Sequence, residues 1–108
     1  MAGNLGDFEQ LVMLAVMRLD ADAYGTSIRE ELKARADREV SPGAIFTTLE
    51  RLESRGLVTS RYGEPTPERG GRSKRFYKLS AEGRRSLARS LSAIRRLMQG
   101  LEPKLERL

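Results

Sequence analysis

Basic side chains concentrate in the segment PERGGRSKRFY, residues 67–77, which also holds two adjacent glycines. Ammonium and guanidinium groups bind phosphate oxygens, and such contacts add affinity and salt dependence but little sequence information. Because glycine adopts positive φ without strain, the Gly-Gly pair predicts a tight reversal at the tip of a hairpin. We therefore expect this hairpin to contact the backbone or minor groove of DNA. Its expected contacts are Arg69, Gly70, Gly71, Arg72, Ser73, Lys74 and Arg75.

A second group of candidate contacts lies on a helix predicted over residues 41–55. Ser41 followed by Pro42 is a helix-start signal, a capping hydroxyl and then proline at the first helical position. If the apolar stripe faces inward at about 100° per residue, small and polar residues face outward, with Thr48 at the margin. Glu50 and Ser54 are expected to be ordinary solvated residues. The inward stripe is Ile45, Leu49 and Leu52, and the expected DNA contacts are Ser41, Pro42, Gly43, Thr47, Thr48 and Arg51.

The composition disfavours an enzyme and favours a polyanion partner. The 108-residue chain has no histidine and no cysteine, so the usual general base and the thiolate metal ligands are missing, and no cofactor or metal is expected. Residues 1–50 carry 5 basic and 9 acidic side chains, a charge of −4, whereas residues 51–96 carry 13 and 4, a charge of +9. A basic excess confined to one part of a small domain gives the sided field that nucleic acid requires.

The order of predicted elements indicates a winged helix-turn-helix fold, mainly α with a small β-hairpin. Amphipathic helices are predicted over residues 7–19, with Asp7 as the N-cap, over 26–36 and over 41–55, where Gly56 ends the helix. Strands over 57–62 and 74–79 follow, with Tyr77 and Leu79 inward and Phe76 half-exposed, and a long helix runs from about Ala81 to Gln99. We expect a DNA-binding domain over 1–80 and a dimerisation helix over 81–108.

The last helix carries apolar residues at alternating spacings of four and three, which is a heptad seam typical of a two-stranded contact between subunits. Gly100 and Pro103 predict that the helix ends or kinks near residue 100. The first helix has a wide apolar surface that also favours contact with another subunit. The expected dimer contacts are Phe8, Leu11, Leu14, Leu87, Leu91, Ile94, Met98 and Leu101.

The segments SPGAIFTTLERLESRGLV (41–58) and GGRSKRFYKLSAEG (70–83), supported by AYGTSIREEL (23–32), resemble the PadR family of transcriptional regulators in its short form. The resemblance implies a homodimer built from the first and last helices that binds a pseudo-palindromic operator. Two positions depart from the family pattern: Phe46 stands where tyrosine is usual, and Thr47 where proline is common. The resemblance also implies that some members bind aromatic or drug-like effectors at the dimer interface, in certain cases between tryptophans, but this chain has no tryptophan.

We therefore predict a dimeric, sequence-specific DNA-binding regulator, a repressor in the usual mode of that family. The alternative is a winged-helix module that docks a partner protein without specific DNA binding. No apolar run reaches the roughly 18 residues of a transmembrane helix, and no secretory signal pattern is present, so we expect a cytoplasmic protein without a membrane partner. An effector at the dimer interface is a further expectation from the resemblance.

Overall fold

The computed structural model describes residues 4–64 and 73–106 of the chain. Three helices come first, α1 (Asp7–Leu19), α2 (Gly25–Ala36) and α3 (Pro42–Ser54), and a short 3₁₀ turn separates the first two. Strands β1 (Val58–Tyr62) and β2 (Arg75–Leu79) follow, then α4 (Ala81–Met98) and α5 (Glu102–Glu106). This order confirms the predicted winged helix-turn-helix arrangement, a mainly helical fold with one two-stranded hairpin.

The helix ends follow the chemistry of their terminal residues. The Ser41 hydroxyl accepts a hydrogen bond from the Ala44 amide at 3.1 Å, with Pro42 directly after it, as the sequence predicted. At the other end of α3, Gly56 has a φ of +76°, which glycine adopts without a steric penalty. One boundary differs: α1 is capped by Gly6, whose amide donates to the Glu9 carboxylate at 2.9 Å, so Asp7 is the first helical residue rather than the cap.

The hairpin is antiparallel and is fixed to the helical part along its other edge. Its register pairs Val58 with Leu79 at the base and Tyr62 with Arg75 at the far end. On the outer side of β2, the Tyr77 amide donates to the Ala23 carbonyl at 2.8 Å, beside an isolated bridge between Tyr24 and Phe76. The segment between α1 and α2 therefore holds the outer edge of β2 through one backbone hydrogen bond and one isolated bridge.

The core lies where the three helices meet the inner face of the hairpin. Successive residues of a strand point to opposite faces, and as predicted Tyr77 and Leu79 are buried while Phe76 is partly exposed against the edge of the Tyr24 ring. Burial of these apolar groups is the main stabilising term. The chief core residues are Val12, Met13, Val16, Ile28, Leu32, Ile45, Leu49, Leu52, Leu57, Tyr77, Leu79 and Leu87.

Helix α4 starts in close contact with the end of α3. Ser80 caps α4 by accepting from the Gly83 amide at 2.9 Å, while its own hydroxyl donates to the Gly56 carbonyl at 2.6 Å. A Cβ at Gly83 would overlap the carbonyl oxygen of Leu57, so only glycine allows this approach. The helix ends at Met98 and Gly100 has a φ of +85°, which confirms the predicted break and means that α5 does not continue the seam of α4.

Candidate nucleic-acid interface

The outward face of α3 is open to solvent and carries small or polar side chains. Gly43, Thr47 and Arg51 are exposed along it, and Ser41 and Pro42 are exposed at its start. Phe46 is 53 % exposed beside them, which is unusual for a phenyl ring in a small domain. A helix with this face can enter the major groove of DNA, where its side chains reach base edges and its N-terminal amides favour a phosphate.

Thr48 does not belong to that face. The structure leaves it only 5 % exposed, so the prediction that it lies at the margin of the outward face is wrong. The reason is helical geometry: Thr48 comes three residues after Ile45 and directly before Leu49, two residues that define the inward stripe. A threonine at that position falls within the buried arc of α3.

Arg75 also lies differently from its predicted position. We expected it to project from the hairpin towards DNA, but its guanidinium turns onto α3 and contacts Glu53 at 2.7 Å and Glu50 at 3.2 Å. Arg75 is two residues before Tyr77, so strand periodicity puts both side chains on the inner face of β2. Arg75 therefore belongs to an ion-pair network between hairpin and helix, whereas the sequence pattern predicted only a DNA contact for it.

Two groups near this network, Arg75 and Tyr77, have raised pKa values. Burial lowers the pKa of the Arg75 guanidinium, but the neighbouring Tyr77, Glu53 and Glu50 outweigh burial and leave the pKa raised above its usual value. Burial raises the pKa of the Tyr77 phenol, and the lowering effect of Arg75 does not offset this rise. Arg75 is thus a permanent cation and Tyr77 stays neutral over the ordinary pH range.

A groove of about 380 Å³ lies between α3, the start of α2 and the hairpin. Ile45 and Tyr77 are among the residues that line it, with Phe46 and Tyr62 at its exposed part. Lys74 also lines the groove, and its ammonium lies 4.2 Å from the centre of the Tyr24 ring. The predicted contacts Ser73 and Lys74 are both partly exposed at this edge. The predicted contacts Arg69, Gly70, Gly71 and Arg72 lie outside the described residues.

Several residues predicted to form a dimer contact are exposed and apolar. Leu14 on α1, Ile94 and Met98 on α4, and Leu101 after it are each exposed by 38–45 %. Leu87 differs: it is 2 % exposed and belongs to the core of its own chain, so the prediction that it contacts a second subunit is wrong. The heptad pattern did not reveal this, although Leu87, its first residue, packs in the core of its own chain. Phe8, Leu11 and Leu91 are partly buried against the same core.

Sequence reasoning missed three residues that shape the interface. Glu53 and Ser60 complete the Arg75 network, because Ser60 donates to Glu53 at 2.8 Å and accepts from Arg75 at 3.1 Å. Tyr24 holds both Phe76 and Lys74 by aromatic contacts. The two-residue period of β2 was the sequence signal that Arg75 lies on the inner face. The contacts of Glu53, Ser60 and Tyr24 depend on how the hairpin and the helices pack, so no local signal identifies them.

One of the three packed helices, α3, exposes a polar face beside a hairpin with a basic edge. This arrangement defines a winged-helix protein of the kind that binds DNA. The sequence profile described as the transcriptional regulator PadR-like family matches residues 13–89. The chain therefore belongs to the PadR-like family of transcriptional regulators.

Individual relatives agree with this assignment. The Transcriptional regulator Rv3488 of Mycobacterium tuberculosis is 33 % identical over 78 residues, which cover 72 % of this chain and 68 % of that protein. A PadR-like transcription factor from Bacteroides fragilis is 26 % identical with a TM-score of 0.71, over 88 % of this chain and 86 % of that one. The ORC1 protein of Aeropyrum pernix, solved in complex with DNA, is 25 % identical with a TM-score of 0.66, over 86 % of this chain and 26 % of that one.

None of the described helices is long and apolar enough to cross a membrane.

Proposed function

We propose that the chain is a homodimeric repressor that binds a pseudo-palindromic operator. In this proposal α3 lies in the major groove, where Thr47 and Arg51 contact bases, and the hairpin lies on the backbone or in the minor groove. The observation that carries it is the exposed polar face of α3. This face starts at a solvent-exposed helix N-terminus that Ser41 caps, and it lies next to the cationic edge of the hairpin. Membership of a family of transcriptional regulators supports the DNA-binding part of this proposal, as does the similarity to about a quarter of the ORC1 chain, which was solved in complex with DNA.

The placement of the exposed groups supports separate roles for two parts of the chain, DNA binding and dimerisation. Residues 1–80 contain α3 and the hairpin and form the DNA-binding part, whereas 81–108 provide a dimerisation helix. Its exposed apolar residues, with Leu14 of α1, give a surface that a second copy would cover. The dimer has two-fold symmetry, so its two α3 helices would read half-sites about one helical turn apart. A small-molecule effector that changes this separation would bind at the dimer interface.

The test begins with selection of tight-binding duplexes from a random-sequence pool. Affinity for the selected duplex and for a scrambled duplex of equal length is then measured by fluorescence anisotropy at several salt concentrations. We expect a preference of at least about a hundredfold for the selected duplex and a steep negative slope of log affinity against log salt. Equal affinity for both duplexes would contradict sequence-specific binding and would favour a winged-helix module that docks a protein.

A further inference from the structure

Arg75 joins three elements at the far end of the described hairpin. Its Nη2 contacts Glu53 Oε1 at 2.7 Å and Glu50 Oε1 at 3.2 Å on α3. Its Nε donates to Ser60 Oγ of β1 at 3.1 Å, and Ser60 in turn donates to the second oxygen of Glu53 at 2.8 Å. The guanidinium also lies 5.3 Å from the Tyr77 ring centre and 5.9 Å from that of Tyr62. Arg75, Glu53 and Ser60 form a closed ring of interactions, and Glu50 contacts the ring through Arg75.

The position of this ring is where a hairpin would need support. Arg75 pairs with Tyr62, the last pair of the register, and beyond it the Gly63 amide donates to the Lys74 carbonyl at 2.8 Å. A two-stranded hairpin is marginally stable by itself, so its outer end takes its orientation from whatever it packs against. On the α3 side, that contact is the Arg75 network.

The two acidic residues of α3, Glu50 and Glu53, also support a role for Arg75 in holding the hairpin. Glu50 and Glu53 are one turn apart on the helix that is proposed to approach a polyanion, where carboxylates repel phosphate. Both carboxylates contact Arg75, and Glu53 is only 31 % exposed. These acids are therefore explained by their role in holding the hairpin. The Nε and Nη2 groups of Arg75 are engaged by Ser60 and by these two carboxylates.

We propose that Arg75 is a positioning residue which, through Glu53 and Ser60, fixes the hairpin at one orientation relative to α3, so that helix and hairpin meet DNA as one rigid unit. This inference rests on the proposed function, because it assumes that α3 and the hairpin both contact the operator. Fixing the hairpin before binding removes an ordering cost that would otherwise reduce affinity. This gain in affinity applies to the operator, because specific binding there requires α3 and the hairpin to contact their sites on DNA at the same time.

The inference gives unusual expectations for two conservative substitutions. Glu53→Gln removes a negative charge near DNA, so electrostatics alone would strengthen binding, whereas loss of the ring should weaken operator binding about tenfold. Arg75→Lys keeps the positive charge, so a phosphate contact would survive, but an ammonium cannot reproduce the fork that reaches Glu53 and Ser60 together. We expect Arg75→Lys to weaken operator binding to a similar degree.

The first arm of the experiment uses the free protein and needs no DNA. Amide hydrogen exchange of Gly63 is followed by NMR in the wild type, in Glu53→Gln and in the matched control Glu30→Gln, which changes the same charge at an exposed site of α2. Loss of the ring should speed exchange at Gly63 about tenfold and leave buried amides of α1 unchanged. The control should exchange like the wild type. Unchanged exchange at Gly63 in Glu53→Gln would overturn the inference.

The second arm measures affinity for the selected and the scrambled duplex as a function of salt. Positioning predicts that Glu53→Gln and Arg75→Lys lose affinity for the selected duplex only, with unchanged salt slopes. The double variant Glu53→Arg/Arg75→Glu, which restores the pair in reverse, should recover part of the loss. Tighter binding by Glu53→Gln, or wild-type affinity in Arg75→Lys, would overturn the inference. A wild type without preference for any duplex would instead refute the proposed function, and the exchange data would then still decide whether the ring holds the hairpin.

Discussion

Gly83 tests how α4 is attached to the DNA-binding part of the chain. A Cβ built on it overlaps the carbonyl oxygen of Leu57, with the carbonyl carbon and Cα of the same residue close behind. These are backbone atoms and cannot rotate away, so Gly83→Ala must move the start of α4 or unwind its first turn. Either change also strains the Ser80 cap and the hydrogen bond from the Ser80 amide to the Leu57 carbonyl.

The magnitude follows from these contacts. Overpacking in a tight site costs about 1–3 kcal/mol, and loss of an N-cap costs about 1 kcal/mol. The better helix propensity of alanine returns at most about 1 kcal/mol. We therefore expect Gly83→Ala to lower the free energy of unfolding by about 1–3 kcal/mol. Urea denaturation followed by circular dichroism, at one fixed protein concentration, measures this difference.

Gly25 provides the matched control for that substitution. It is the first residue of α2, and a Cβ there meets no atom within 4 Å. Gly25→Ala should therefore leave stability unchanged or raise it by about 0.4–1 kcal/mol, because alanine restricts the unfolded chain. Equal stability of Gly83→Ala and the wild type would refute the close approach of α4 to Leu57.

Three further predictions concern DNA contact, assembly and pH. Arg51→Ala should weaken operator binding by about 1–3 kcal/mol if Arg51 contacts a base, and equal losses on operator and scrambled DNA in anisotropy titrations would refute base reading. Ile94→Glu should abolish dimerisation in sedimentation equilibrium, because it places a charge in the apolar surface, and a dimeric Ile94→Glu protein would contradict the proposed interface. Burial raises the pKa of Tyr77 above its unfolded value, so its neutral form stabilises the fold below pH 10.0 and that contribution is lost as pH rises further. Tyr77→Phe should therefore lose less stability than the wild type between pH 8 and 11 in urea titrations, and equal losses would contradict the burial of this phenol.

Local sequence signals predicted most of the fold. The Ser41-Pro42 start, the Gly56 stop and the Ser80 cap depend on one residue and its neighbours, so each was predicted correctly from the chain alone. The first cap was misplaced by one residue, because Asp7 and Gly6 are both acceptable caps and the choice depends on Glu9.

Contacts between elements were harder to predict. Leu87 fits a heptad seam equally well whether it faces a second subunit or the core of its own chain, and only the packing of α4 on the rest of the chain decides between the two. Arg75 looked like one more cation of a basic hairpin, because its partners Glu50 and Glu53 lie over 20 residues earlier. The candidate interface is therefore smaller than the basic sequence suggested. Among the described residues, the proposed contacts that stay are Ser41, Pro42, Gly43, Thr47, Arg51, Ser73 and Lys74.

The most direct test of the central claim is hydroxyl-radical footprinting on the selected duplex, with the number of bound chains determined by analytical ultracentrifugation. The account predicts two chains per duplex and two symmetric protected regions on one face, separated by about one helical turn. A single chain per duplex, or protection without two-fold symmetry, would contradict the proposed dimeric reading of DNA by α3 and the hairpin.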